Sequence, residues 1–516
     1  MAIPEPSLRI VTFPELGQTQ IDTDVVVVGS GAGGAAVAAE LAEGGLKVLV
    51  LEEGPYFTTQ DFRTDVTNVI TRTMRDAGTT ITIGRSPVQY LEGRCVGGTT
   101  VINGGMCWRT PDKVLKRWGM EHGLTRLTSK SLQPLFERVE QRISAREQDV
   151  GTEGKNSLVF QRGCEKLGYK TVRNIRNQVH CVGSNDCVTG CPTGAKQSTA
   201  HTYLTILCRY GGSIVTSAKV EKIRVEGGKA TGVVARIQNL ETGQWDKTLA
   251  VSAKIVVLSC GATQTPLLLL RNRIGNRSRQ VGRNFTIHPN IKISAMFDEP
   301  IDTMRGAHQA FQCREFQDEG ILIAPGGVSP PLMSVATDLF GAEHGDFMLK
   351  QRYLATGGVL VDDFAAGRVS LGPFGIPLVR YDITNADQHK FIRGAALAAE
   401  IYLAAGAREV YTAFGGVGPI RNGDDIRRLF LYPPKIEHTE YFTAHLMGTC
   451  RMDRDPTRGV VDESGQSHDI RNLFVADASI LPTPIGVNPQ ETIMALATHI
   501  AGDVLNNWKT YRQVAA

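Results

Sequence analysis

Three cysteines stand close together in "CVGSNDCVTGCPTGAK", residues 181–196: Cys181, Cys187 and Cys191, separated by five and then three residues. The chain has ten cysteines, and the others are scattered singly. Without a secretory signal, clustered thiols point to metal or redox work before a disulfide framework. Four readings suit the spacing: coincidence, a disulfide plus a free thiol, zinc, or iron–sulfur. Zinc normally takes four ligands, and the nearest fourth, His180, adjoins Cys181, where neighbouring side chains reach one tetrahedral ion poorly. A Cys-Pro ending with glycine nearby suits iron–sulfur binding, and three ligands without a fourth suit a three-iron cluster.

A second constellation lies near the start. Gly29, Gly31 and Gly34 form G-x-G-x-x-G between an apolar run, Val25 to Val28, and an Ala-rich segment reaching about Glu43. Glycines there permit a tight turn, close approach of a pyrophosphate and close helix packing, and the helix N-terminus favours phosphate charge. Glu52 follows a second apolar run, Val48 to Leu51, near the distance where an acidic side chain reaches ribose hydroxyls. Strand, glycine turn, helix and acid together predict a dinucleotide site in a βαβ unit. They do not choose between NAD and FAD.

These residues need a large frame. At 516 residues the chain predicts two or more domains, interleaved along the sequence. A hydrophobic share of 42%, a charged share of 21% and a dispersed net charge of +4 describe a globular enzyme, not a nucleic-acid binder. No window approaches the roughly 18 apolar residues of a membrane span, and the N-terminus lacks a basic-then-apolar leader. The expectation is a cytoplasmic protein, with export only alongside a signal-bearing partner. Residues 290–437 mix strand-like runs with one helix, Asn385 to about Ala405, opened by the capping box "TNAD" and closed at Gly406. This predicts a sheet backed by helices. A last helix runs from Pro489 to about Leu505, with Asn488 as its N-cap.

Four further blocks decide the cofactor: "GRCVGGTTVINGG" (93–105), "SCGATQTPLLLLRNRIG" (259–275), "HLMGTCRM" (445–452) and "NLFVADASILPTPIGVNPQETIMALA" (472–497). In order and spacing they resemble the glucose-methanol-choline (GMC) family of flavoprotein oxidoreductases, along nearly the whole chain. The resemblance implies an α/β fold: a Rossmann-like FAD-binding domain from 20–60, 88–110, 205–290 and 438–516, with an α+β substrate domain from 111–204 and 291–437. It implies that Gly29, Ser30 and Gly31 contact pyrophosphate, with Gly34 completing the motif, and that Glu52 meets the adenosine ribose. Arg94, Gly98, Thr99, Asn103 and Gly104 would lie along the flavin, Val220 at the adenine and Asp477 at the ribitol-phosphate arm, with Ala262 and Pro489 completing the set. Some members attach FAD through a histidine in the N-terminal region; the first histidine here is His122, so non-covalent FAD is expected.

The same resemblance makes His445 the base for an alcohol and Asn488 its partner. A neutral imidazole can accept the hydroxyl proton while hydride leaves for flavin N5. An Asn using its oxygen to cap a helix still has an NH₂ group to donate. The cysteine loop, 180–197, resembles that of bacterial FAD-dependent glucose and sorbitol dehydrogenases, where the thiols hold a 3Fe–4S centre, and "GCPTGAKQS" resembles long-chain fatty alcohol oxidases. A cluster on Cys181, Cys187 and Cys191 implies single-electron exit to a cytochrome or quinone, with a small helper subunit, and hence an alcohol dehydrogenase. The alternatives are an oxygen-using oxidase without a cluster and a non-redox lyase with structural FAD.

Overall fold

The computed structural model describes residues 5–513 except 18, 64, 335, 336 and 338. Residues 1–4 and 18 of the N-terminal stretch read for a leader lie outside them.

The run of β-branched residues ending at Val28 forms the strand Gln20–Val28, and Val25, Val26 and Val27 are wholly buried. It pairs in parallel with Val48–Leu51 on one side and with Trp245–Leu258 on the other. Leu473–Val475 joins the latter strand, again in parallel. Val28, Leu51, Leu258 and Val475 are thereby brought to one edge of an eight-stranded sheet. Ligands of open parallel sheets bind at that carboxyl edge. Helices Ala32–Glu43 and Gln490–Asn506 pack together and share the buried core with these strands.

A second eight-stranded sheet is largely antiparallel and centres on Asn290–Met296, which pairs with Leu354–Val361, Glu409–Thr412 and Tyr441–Thr443. The helix Asn385–Ala404 covers it and carries the expected capping box: Thr384 Oγ1 accepts from Asp387 N, and Asp387 Oδ2 accepts from Thr384 N, each at 3.1 Å. Gly406, at φ +102°, turns the chain away after the helix.

One boundary differs from expectation. The last helix spans Gln490–Asn506 with Pro489 as its N-cap, and Asn488 makes no cap. Its amide is turned instead toward His445, at 3.3 Å. Among the described residues, no helix is long and apolar enough to cross a membrane.

Candidate active site

A cavity of about 860 Å³ runs from the carboxyl edge of the parallel sheet to the face of the second sheet. At one end is the glycine turn. Gly29 holds φ +101°, and a Cβ there would stand 2.3 Å from Ser259 O. A Cβ on Gly33 would strike Ala476 O, and one on Gly34 would strike Gly29 O at 2.0 Å, so Gly34 lies behind the cavity as a packing glycine. Gly31 differs: an added Cβ would meet only Gly98 Cα, at 4.0 Å. It N-caps the helix Ala32–Glu43 without any side-chain cap, leaving first-turn N–H groups for an anion.

Ser30 and Glu52 are locked together. Glu52 Oε2 accepts from Ser30 N at 2.9 Å and Ser30 Oγ at 2.6 Å, and Oε1 accepts from Gly54 N at 2.8 Å. Burial pushes the Glu52 carboxyl above its usual range, against those hydrogen bonds. Asp477 is held in the same way, accepting from Gly261 N, Thr265 Oγ1 and Ser479 N. Glu52, Gly98, Thr99, Asn103, Gly104, Val220, Ala262, Asp477 and Pro489 all line the cavity. Arg94 does not: its Nε faces Glu53 at 3.7 Å, because Glu53 gathers Arg75, Arg94 and Lys219 around one carboxylate. The uncapped helix start, the open face at Gly31 and the polar groups along this wall fit a dinucleotide.

His445 and Asn488 meet at the other end, Nε2 to Nδ2, 3.3 Å apart. Behind His445 stands His288, fully buried, with Nδ1 3.1 Å from His445 Nδ1 and the rings nearly perpendicular. Burial holds both imidazoles down to about 3, so each is neutral near pH 7. The sequence reading passed over His288, which sits at the end of the strand Arg283–Ile287; "IHP" marks only a strand-ending turn. It also passed over Lys292, which lines the cavity with its ammonium 5.0 Å from the Phe442 ring and lowered by burial to about 8.

The three thiols each take a partner other than one another. Cys187 Sγ accepts from Arg176 Nη2 at 2.9 Å, Cys191 Sγ lies 3.4 Å from Thr193 Oγ1, and Cys181 Sγ accepts from Gly183 N at 3.4 Å. Among the described residues, no group of three or more His, Cys, Asp or Glu side chains could hold a metal ion. The expected three-thiolate ligand set is therefore not formed. Burial alone would raise the Cys187 thiol, yet Arg176 and Lys196 bring it below its ordinary value. These two buried cations also tie the loop to the flank of the cavity: Arg176 donates to Gly104 O at 2.7 Å, and Lys196 Nζ to Asn103 O at 2.8 Å and Val101 O at 2.6 Å.

The arrangement of this cavity has known counterparts. The family profile "GMC oxidoreductase" matches residues 42–290 with its N-terminal part and 363–497 with its C-terminal part. An uncharacterised GMC-type oxidoreductase of Sinorhizobium fredii is 34% identical over 504 residues, covering 97% of this chain and 98% of that one. The chain belongs to the GMC oxidoreductase family. With membership comes the enzyme class, an FAD-dependent oxidoreductase acting on CH–OH groups. The chain is also similar to long-chain-alcohol oxidase FAO1 of Arabidopsis thaliana, 29% identical over 532 residues, 96% of this chain and 68% of that one. In fold it matches pyridoxine 4-oxidase from "Mesorbium loti", at a TM-score of 0.72 and 19% identity, over 93% of this chain and 99% of the other. Formate oxidase of Aspergillus oryzae matches at 0.74 and 15%, over 96% and 100%.

Proposed function

We propose that this GMC oxidoreductase oxidises a primary or secondary alcohol to a carbonyl compound at the His445/Asn488 end of the cavity. The observation that carries the reading is the contact between these two side chains on the wall of a cavity that also reaches the glycine turn. FAD, bound non-covalently, supplies the acceptor for the hydride leaving the carbinol carbon. Gly29, Ser30 and Gly31 would hold its pyrophosphate, Glu52 its ribose, Val220 its adenine and Asp477 its ribitol arm, with Gly98 to Gly104 beside the ring. His445 and Asn488, both half-buried on the cavity wall, are placed to grip the substrate oxygen. The base role expected of His445 requires a ring nitrogen without a proton facing that oxygen. The proposal keeps a cofactor unit from 20–60, 88–110, 205–290 and 438–516 and a substrate unit from 111–204 and 291–437, with Val88–Tyr90 and Tyr441–Thr443 of the former pairing into the second sheet.

Leu322, Leu332, Met333 and Phe442 line the substrate end, which favours an alcohol on an apolar body, in keeping with the long-chain-alcohol oxidases among its relatives. Electron exit through a three-iron centre to a cytochrome with a helper subunit finds no support in the separate anchoring of the three thiols. The reading carried forward passes the electrons to a small diffusing acceptor, oxygen among them. The test is anaerobic titration of purified holoenzyme with a series of straight-chain alcohols while flavin absorbance is followed. Bleaching is expected; if none of the alcohols bleaches the flavin and a cyanohydrin is cleaved without bleaching, the protein is a lyase.

A further inference from the structure

The cations that line the cavity differ in what holds them. Arg75 and Lys219 face the Glu53 carboxylate, at 2.9 and 3.7 Å, and Arg271 donates to Gly375 O at 2.8 Å. Lys292 has no such partner among the described residues: burial and the charge of Glu440 act on it, but no hydrogen bond or ion pair holds its ammonium. Its one close contact is the Phe442 ring, 5.0 Å away. Burial lowers it only to about 8, so it is charged near neutral pH. A charge drawn out of water without a counter-ion is unfavourable until an anion joins it.

The strand explains the placement. Side chains alternate along Asn290–Met296, so Ile291 and Ile293 enter the core while Asn290, Lys292 and Ser294 stand half-buried on the cavity wall. Opposite Lys292 the neighbouring strand has Gly358, and beyond it Ala324, so no bulky side chain crowds the ammonium on that side. Ser294, the next residue on the same face, brings a hydroxyl that can donate. From His288, behind His445, to Lys292 is at most about 13 Å of extended strand.

We propose that Lys292 is a specificity-determining residue that binds a carboxylate at the far end of the substrate, so that the preferred alcohol is an ω-hydroxy carboxylic acid with an apolar chain. One ammonium and one hydroxyl match the single charge of a carboxylate, whereas a phosphate monoester carries about two. The chain lies along Leu322, Leu332 and Met333, and the hydroxyl end reaches His445 and Asn488.

This deepens the alcohol-oxidation reading and rests on it for the reaction, but not for the carboxylate site. The site is read without turnover by calorimetric titration of the holoenzyme with a straight-chain alkanoate and with the primary amide of the same chain. The native protein should prefer the alkanoate about tenfold or more; Lys292→Met should lose that preference while keeping its flavin, and Lys292→Arg should retain it. Equal affinity for alkanoate and amide in the native protein overturns the inference. So does loss of flavin from Lys292→Met, which would put the ammonium on the cofactor. In turnover, the ratio of kcat/KM for an ω-hydroxy acid to that for the matching 1-alkanol should exceed unity, peak at one chain length, and fall about tenfold in Lys292→Met. Alkanols that bleach the flavin as well as the hydroxy acids do would overturn the inference and leave the alcohol reading standing. A Lys292-dependent alkanoate site in a protein that neither class bleaches would remove that reading and leave the site.

Discussion

The glycine turn at 29–34 and the cysteine loop at 181–196 are both short, closely spaced motifs, yet only the first folds into the arrangement its spacing implies. In the turn the working groups are backbone N–H and bare Cα atoms, whose positions follow from local dihedral angles such as φ +101° at Gly29. In the loop the working groups are side chains, and their partners come from elsewhere: Cys187 Sγ is taken by Arg176, from the strand Ile175–Asn177, while Lys196 reaches back to Val101 and Asn103. Spacing is a sound guide where backbone does the binding. It is a poor one where distant cations compete for the same sulfur.

Four experiments press on that contrast. The largest effect is expected from Gly33→Val, whose branched side chain would meet backbone at Ala476, where even a Cβ has no room; soluble holoprotein should be nearly lost, measured as flavin absorbance per unit of purified protein. Asn488→Ala should slow flavin bleaching by alcohol about 100-fold while shifting the melting temperature little, because Asn488 makes no helix cap. A large loss of stability with unchanged turnover would return it to a structural role.

Arg176→Met tests the loop. It leaves Gly104 O and Cys187 Sγ without their donor, and a buried charged partner of this kind costs about 3 kcal/mol to remove. Denaturant unfolding of the holoprotein should show that loss together with weaker flavin retention. An EPR signal from a three-iron centre in anaerobically purified native protein would refute the assignment of Cys187 to Arg176.

The smallest effect per group is the pH dependence of the buried histidines. His288, His308 and His445 are each held down to about 3 by burial, against an unfolded value near 6.5. Below about pH 6.5 the unfolded chain binds protons that the folded one refuses, so stability falls as pH drops, by at most roughly 1.4 kcal/mol per unit for each group, until the folded values near 3 are reached. Melting curves between pH 7.5 and 5 should show the decline. A His288→Asn variant should show a shallower one.

Much of the frame was legible from local pattern. The βαβ start, the strand Val48–Leu51, the capped helix beginning at Asn385 and the pairing of His445 with Asn488 follow from periodicity, caps and family blocks. Arg94, read along the flavin, is paired with Glu53, one residue beyond the acid that was read, and Glu53 itself lines the cavity. Asn488 was given a capping role beside its pairing with His445 because Asn-Pro is a good helix start; in the structure Pro489 takes the N-cap and Asn488 keeps only the contact with His445.

By itself, then, the sequence determined the family, the order of the elements and the backbone of the nucleotide turn, because each depends on short-range geometry repeated in a readable pattern. Only the tertiary structure decided which side chains and backbone groups surround His445 and His288, and which donors meet the three thiols. Those depend on which donors folding brings within about 3 Å, and His288, Ile485, Gly486, Arg176 and Lys196 reach their partners from different segments of the chain.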